Sequence, residues 1–352
     1  LPPEIAEARA GERVAVLLPS VLEWPSVRRL ATNPLLLTIL ALIYENVGRL
    51  PNRRIKLYEI AAQTLIESWR QAQTGMQSEL LAELGEEAVI GVMAPLAYWL
   101  HQDYPGGTAS FQEWRERLLA VLEEEGYEAE AAEIADRFLH HARYQAGLLA
   151  ERGLGQFGFF HLTFEEYLAA RQIARQRAEG RRGILKAHWE DARWQEVILL
   201  AAGQLGIVEA RRDDVSDCVE DLLKMEPVDA ANAGRQTVLA GRALADIGAR
   251  SVTPRTRRWV LDALRETMQD RDPESRKPND PPRLSVRTRY TAGEVLDELG
   301  WLPPDLNAWV RCPGCADNGG PLTGSGQAPS TGSGLDLMVM KYPLTNVQYE
   351  RF

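Results

Sequence analysis

The sequence predicts a mainly α fold: a helical domain and a winged helix with a small β-hairpin, then a helical rod and one further strand. Three features of the 352 residues carry that expectation. Apolar side chains recur through most of the chain at the spacing of one helix face. That period gives way at residues 148–160 to strand-like segments around a Gly-rich turn. Beyond Trp189, helical patterns follow one another with short connectors.

Residues 1–32 are helical in tendency and end at Leu30-Ala31-Thr32. Asn33-Pro34 then reads as a helix start, an Asn cap followed by proline at the first helical position. Residues 34–46 are apolar on nearly all sides, which predicts a central helix ended by Gly48. Leu50-Pro51-Asn52 connects to a helix over 58–73, with Ile60, Ala61, Leu65, Ile66 and Trp69 at helical spacing. Helices over about 80–102 and 111–125 follow, and Ser110 with Glu113 forms a capping box for the second. The pattern Ala131, Ile134, Ala135, Phe138, Leu139 predicts another over 128–146.

Residues 148–151, a turn at 152–155 and residues 157–160 read as a hairpin feeding a helix. Thr163 and Glu166 fit a second capping box there, with Leu162 and Tyr167 at the positions of a hydrophobic staple. A hairpin packed beside a capped helix at the end of a bundle is a winged-helix arrangement. Helices are then expected over 194–205, 215–225, 230–247, 256–268 and 288–299, without a clean repeat period. Residues 270–282 have the composition of a solvated loop and 311–334 that of a Gly/Ser/Pro linker. Residues 335–340 alternate as a strand would.

Hydrophobic residues make up 45% of the chain, enough for packed cores. A net charge of -10, with both signs mixed along the chain, disfavours a general nucleic-acid binder. The apolar run at 35–44 is about half of a bilayer span, so it reads as a buried helix and not a membrane anchor. Three cysteines and no signal-peptide pattern point to a reducing, cytoplasmic setting. Both ends read as cuts within a longer protein.

No complete catalytic centre can be assembled. The P-loop pattern, the G-x-S-x-G elbow, the H-E-x-x-H zinc motif and a dinucleotide fingerprint are all absent from the sequence. Cys312 and Cys315 form a lone C-x-x-C without two further zinc ligands, and read as reduced surface cysteines. His140 and His141 face apart on a helix and cannot chelate one ion. Glu123, Glu124 and Glu125 read as a solvated helix end. Trp69, Trp99, Trp114, Trp194 and Trp259 fall on apolar helix stripes, which is core spacing and not a stacking platform. His161, between the hairpin and the next helix start, is placed to meet an anion at exposed backbone amides. Glu165 and Glu166 would oppose this unless they point away, and a structural histidine is the competing reading.

Two motifs carry a resemblance. The segment 30–37 (LATNPLLL), then Arg49-Leu50-Pro51-Asn52-Arg53-Arg54 and Leu57-Tyr58, resembles the region just after the nucleotide-binding core of bacterial NACHT-type STAND NTPases. Residues 159–170 (FFHLTFEEYLAA) resemble that family's winged-helix signature. The likeness covers about residues 1–205. It implies a switch in which a P-loop domain binds ADP or ATP and the helical and winged-helix domains close over the nucleotide at rest. It further implies that Pro34 packs on the adenine and that His161 contacts the β-phosphate of ADP. The P-loop, the Walker B acids and the magnesium site would lie upstream of Leu1. ATP or ADP is therefore the cofactor of the longer protein, and this chain would hold no metal and no catalytic residue.

The helical part after the winged helix resembles the HEAT-like arms of such proteins. Residues 340–352 (MKYPLTNVQYERF) resemble the opening of a formylglycine-generating-enzyme-type (sulfatase-modifying factor) domain, which has a C-type-lectin-like fold. The expected organisation is a helical domain over 1–48, a winged-helix domain over 49–178 and a HEAT-like region over 179–310. A linker over 311–334 and the first strand of a truncated C-type-lectin-like domain over 335–352 follow. The expected partners are an upstream P-loop domain in cis, further copies of the protein on activation, and a ligand of the C-terminal module. Membrane and nucleic acid are not expected. The resulting expectation is the regulatory and sensor-arm portion of a bacterial signalling NTPase in defence or conflict. A helical-repeat scaffold without nucleotide switching is the rival, and a winged-helix DNA binder is disfavoured by the charge.

Overall fold

The structure, a computed structural model, describes residues 14–22, 27–28, 31–32, 37–38, 40–41, 43–44, 48–73, 86–127, 129–144, 149–270, 283–302, 309–312 and 337–340. The chain divides into two units, Leu1–Leu299 and Gly300–Phe352. The first is mainly helical with a small antiparallel sheet.

In the first unit, residues 14–22 are helical. Gly48 has φ +77° and donates to the Tyr44 carbonyl at 2.8 Å, the left-handed stop expected there. Helix α1 runs Arg54–Gln73, starting four residues before the expected position. Helix α2 (Glu86–Asp103) contains Pro95, which cannot donate to the Gly91 carbonyl one turn back. Arg175 Nη1 donates to that carbonyl at 3.2 Å instead, so the lost helix bond is replaced from another element.

The short strand β1 (Ala109–Ser110) leads into α3 (Phe111–Glu124). The capping box is present: Ser110 Oγ accepts from the Glu113 amide at 3.3 Å, and Glu113 Oε2 accepts from the Ser110 amide at 2.7 Å. Helix α4 (Ala131–Tyr144) precedes β2 (Leu149–Gly153) and β3 (Gln156–Phe159). The sheet order is β1-β3-β2, all antiparallel, with Leu149 opposite Phe159 and Ala109 opposite Phe157. Gly158 is obligatory, because a Cβ there would collide with the Gly107 carbonyl oxygen. Trp114 is fully buried and its indole donates to the Phe157 carbonyl at 2.9 Å, which fastens α3 to the wing.

Helix α5 (Leu162–Arg175) follows the hairpin and packs along α2. Its start corrects the expected capping box. The cap is His161, not Thr163: its Nδ1 accepts from the Thr163 amide at 3.2 Å, and its backbone is extended at φ -143° and ψ 137°. Thr163 is thus already inside the first turn and buried. The expected staple fails with it, since Leu162 at the first helical position is 53% exposed.

Helices α6 (Ala178–His188), α7 (Trp194–Gly203), α8 (Arg212–Leu223), α9 (Arg235–Ile247), α10 (Pro254–Gln269) and α11 (Val286–Glu298) complete this unit. A π-helical turn, Gln204–Val208, extends α7. Helix α9 is the hub, packing on α7, α8, α10 and α11. Gly241 allows this: a Cβ there would come within 2.8 Å of Val295 and 2.9 Å of Leu264. Trp194 is buried as expected, whereas Trp259 is only half-buried, with Lys224 Nζ 5.7 Å from its ring centroid.

In the second unit, strand β5 (Leu337–Met340) pairs antiparallel with β4 (Trp309–Cys312). Strand β4 runs through residues that the sequence pattern divided between the helical region and the linker. Among the described residues, no helix is long and apolar enough to cross a membrane.

Candidate functional site

The start of α5 concentrates chemistry that local sequence rules do not explain. With Nδ1 accepting the Thr163 amide, a neutral His161 carries its proton on Nε2, so the ring keeps a donor. Burial, and then the Arg152 guanidinium, hold its pKa below the usual histidine value. Arg152 Nη2 is fixed beside it, donating to the carbonyls of Phe159 at 2.8 Å and Phe160 at 2.7 Å. The positive end of α5, a guanidinium and an imidazole N–H therefore share one corner. Phe160 and Leu162 flank His161 and are 49% and 53% exposed, an apolar rim around this polar corner.

The two glutamates after His161 turn inward. Glu165 Oε1 lies 2.8 Å from His101 Nδ1, and both side chains are only 4% exposed. His101 Nε2 lies 3.2 Å from the Arg193 carbonyl, which can only accept, so Nε2 carries a proton. One further proton must then sit in the Glu165–His101 contact, on one partner or the other. His101 meets Trp194 edge-on at 4.8 Å, and His188 stacks on the same indole at 3.9 Å and 12°.

Glu166 faces a second cluster. Burial raises its carboxyl to about 8, with Glu196 and Glu165 adding to the effect and Arg54 opposing it. Arg54 Nη1 lies 2.8 Å from Glu196 and its Nη2 lies 2.9 Å from Asp246. Burial works against the Arg54 charge, but Asp246 and Glu196 outweigh it and hold the guanidinium more firmly protonated than usual. Arg53 Nη1 donates to the Asp246 carbonyl at 3.0 Å, capping the C-terminal end of α9. The pair Arg53-Arg54 thus ties the first turn of α1 to α7 and α9. Tyr58, one turn on, stacks with Tyr167 of α5 at 6.2 Å and 10°.

Pro34 lies outside the described residues, so the two expected contacts are not seen together. Its described neighbours Thr32 and Leu37 line an apolar cleft of about 530 Å³ with Val14, Leu18 and Val21. Cys312 ends β4, and Cys315 lies outside the described residues. Cys218 is fully buried in α8, where burial pushes its thiol up to about 12, so it is inert as a nucleophile. Among the described residues, no three His, Cys, Asp or Glu side chains gather in a way that could hold a metal.

His101, Arg54, Glu165 and Glu166 were not read as a site from the sequence. Arg54 lies in the motif at 49–54 without a role attached to it, and a pair of glutamates after a cap reads equally well as a solvated first turn.

Comparison with curated proteins and with solved structures gave no match. Residues 54–173 match the family model of the winged helix-turn-helix domain C-terminal to NACHT. That span runs from Arg54 of the clamp through α5, and it contains the hairpin, His161 and both inward-facing glutamates. Residues 54–173 are thus similar to a NACHT-associated winged helix domain.

Proposed function

We propose that this chain is the regulatory and sensor-arm portion of a NACHT-type signalling NTPase. The winged helix closes over ADP or ATP held by a P-loop domain that precedes it, and the arm couples that closure to a C-terminal recognition module. The observation that carries the reading is the clamp at Arg53-Arg54. Ion pairs of the buried Arg54 join the first helix of the winged domain to α7 and α9, so a displacement of one is transmitted to the other. The corner at His161 supports the nucleotide end. It brings an imidazole, a guanidinium and a helix N-terminus together within an exposed apolar rim suited to a docked domain.

In this reading Pro34 packs on the adenine and His161 contacts the β-phosphate. The C-terminal segment begins a formylglycine-generating-enzyme-type domain with a C-type-lectin-like fold, used for recognition in defence or conflict. Cytoplasmic signalling, with self-association on activation, completes the proposal.

The test uses the protein together with its preceding P-loop domain. His161→Asn keeps a good N-cap but removes the imidazole, so it separates capping from ligand contact. ADP affinity is expected to fall by about tenfold, the weight of one charge-assisted hydrogen bond. Basal activity is expected to rise while the thermal midpoint stays within a degree or two. Unchanged ADP affinity and basal activity would overturn the role of His161 and leave the helical scaffold as the better reading.

A further inference from the structure

A second polar site lies in the helical arm, lined by none of the side chains invoked above. Helices α9 and α11, with residues at the start of α7, enclose a cavity of about 450 Å³. Arg235 and Arg242 line it from α9, seven residues and so two turns apart on one face. Arg287 lines it from α11, with Thr291 one turn further along the same face and Ser285 at the cap. Val238 and Leu239, between the two α9 arginines, supply an apolar floor.

No carboxylate lines this cavity, and among the described residues none pairs with these three guanidiniums. In a chain of net charge -10, other arginines of the arm do have such partners, as Arg182 has Asp221 and Arg211 has Asp214. Three like charges around one concavity repel each other, and a bound anion would offset that repulsion. Guanidiniums are suited to it, because each can present two parallel N–H groups to a phosphate or carboxylate. The N-cap of α9 is Gly234, which supplies no side-chain acceptor, so the helix end adds its own positive pole. The volume exceeds that of a bare phosphate and falls within the range of small-ligand sites. The apolar floor suits an organic group attached to the anion.

We propose that the cavity between α9 and α11 binds a small organic phosphate of nucleotide size, with Arg235, Arg242 and Arg287 on the phosphate and Val238 and Leu239 beneath the organic part. A small ligand docked there bridges two helices of the arm, one of which, α9, also receives the Arg53-Arg54 clamp.

The experiment is equilibrium binding to the whole 352-residue chain, with pyrophosphate, AMP and ADP as probes. Saturable one-site binding is expected, with ADP tighter than pyrophosphate, weakening as salt is raised. The double variant Arg242→Gln/Arg287→Gln changes two exposed residues and should fold normally by circular dichroism. Its affinity should fall at least about tenfold, while Lys186→Gln, at an exposed residue outside the cavity, binds as the unaltered chain does. Absence of saturable binding by all three probes would overturn the proposal, as would affinity indifferent to the double variant. An equal loss in Lys186→Gln would show that overall charge and not this cavity governs binding, and would overturn the proposal. Equal affinity for pyrophosphate and ADP would remove the role of the apolar floor.

Discussion

The winged helix and the helical arm handle charge in opposite ways. Around α5, carboxylates crowd together: Glu165 and Glu166 are adjacent, Glu196 reaches in from α7, and Arg54 must serve two acids at once. In the arm, acids and bases meet mostly in complementary pairs near the surface, such as Arg211 with Asp214 and Arg265 with Asp262. Its buried Arg181 has Asp214 as partner. Two of its helices begin with conventional caps, Thr253 before Pro254 and Ser285 before Val286. A region that violates local rules is held in place by its surroundings and responds when they change. One that pairs its charges locally depends less on its surroundings and behaves as a stiff lever.

The contrast makes its largest demand at Arg54. Replacing it by alanine leaves Asp246 and Glu196 facing each other and Glu166 without its cation. Breaking one side of a buried ion pair costs about 3–5 kcal/mol. Denaturant unfolding of Arg54→Ala is expected to show that loss and to separate the transitions of winged helix and arm. A loss under about 1 kcal/mol, with a single transition, would mean that apolar packing and not the clamp joins them.

The proton shared by Glu165 and His101 is next. Glu165→Gln removes the group that accommodates it, and leaves a buried imidazole with a weaker partner. A cost of about 2–3 kcal/mol is expected. Because His101 lies 4.8 Å from Trp194, the intrinsic fluorescence should change in the folded state as well. Unaltered stability and emission would show that the pair is incidental to the fold.

The helices themselves were largely legible. The capping box at Ser110 and Glu113 is a four-residue pattern, and its physics is equally local. Thr163 and Glu166 offered the same pattern with no box behind it, because His161 occupies the cap and Glu166 turns toward Arg54. Arg54 and Glu196 are 142 residues apart, and no short pattern marks such a pair. Strand β4 escaped notice for another reason. Four residues are too few to show a period, and the strand is defined by its partner β5.

Glu166 gives a smaller effect with a pH signature. Burial lifts its carboxyl from 4.5 to about 8 in the folded state, so folding retains a proton that the unfolded chain has released. Its contribution to stability is therefore lost progressively as pH rises from 4.5 toward about 8, and is constant above that. Glu166→Gln should flatten this stretch and stabilise the protein at pH 8 by on the order of 1–2 kcal/mol, after allowance for partial exposure. A pH profile of the thermal midpoint that is identical in both forms would remove Glu166 from the cluster.

The smallest effect is expected in the arm, at Thr253. Its Oγ1 accepts the Thr256 amide at 3.2 Å, while its own amide donates to Ser216 Oγ at 3.0 Å. Thr253→Ala removes the first of these, together with the 2.8 Å contact of its Oγ1 with Thr256 Oγ1, which still donates to Glu220. Pro254 still fixes the backbone at the first helical position, and the bond to α8 survives. The cost should be that of an ordinary cap, about 1 kcal/mol, and it should not vary with pH. Hydrogen exchange should rise in the first turn of α10 and nowhere else, because nothing in that turn is shared with the clamp. Exchange spreading to α1 or α5 would show that the arm is as tightly coupled to its surroundings as the winged helix, and the contrast between a responsive domain and a stiff lever would fail.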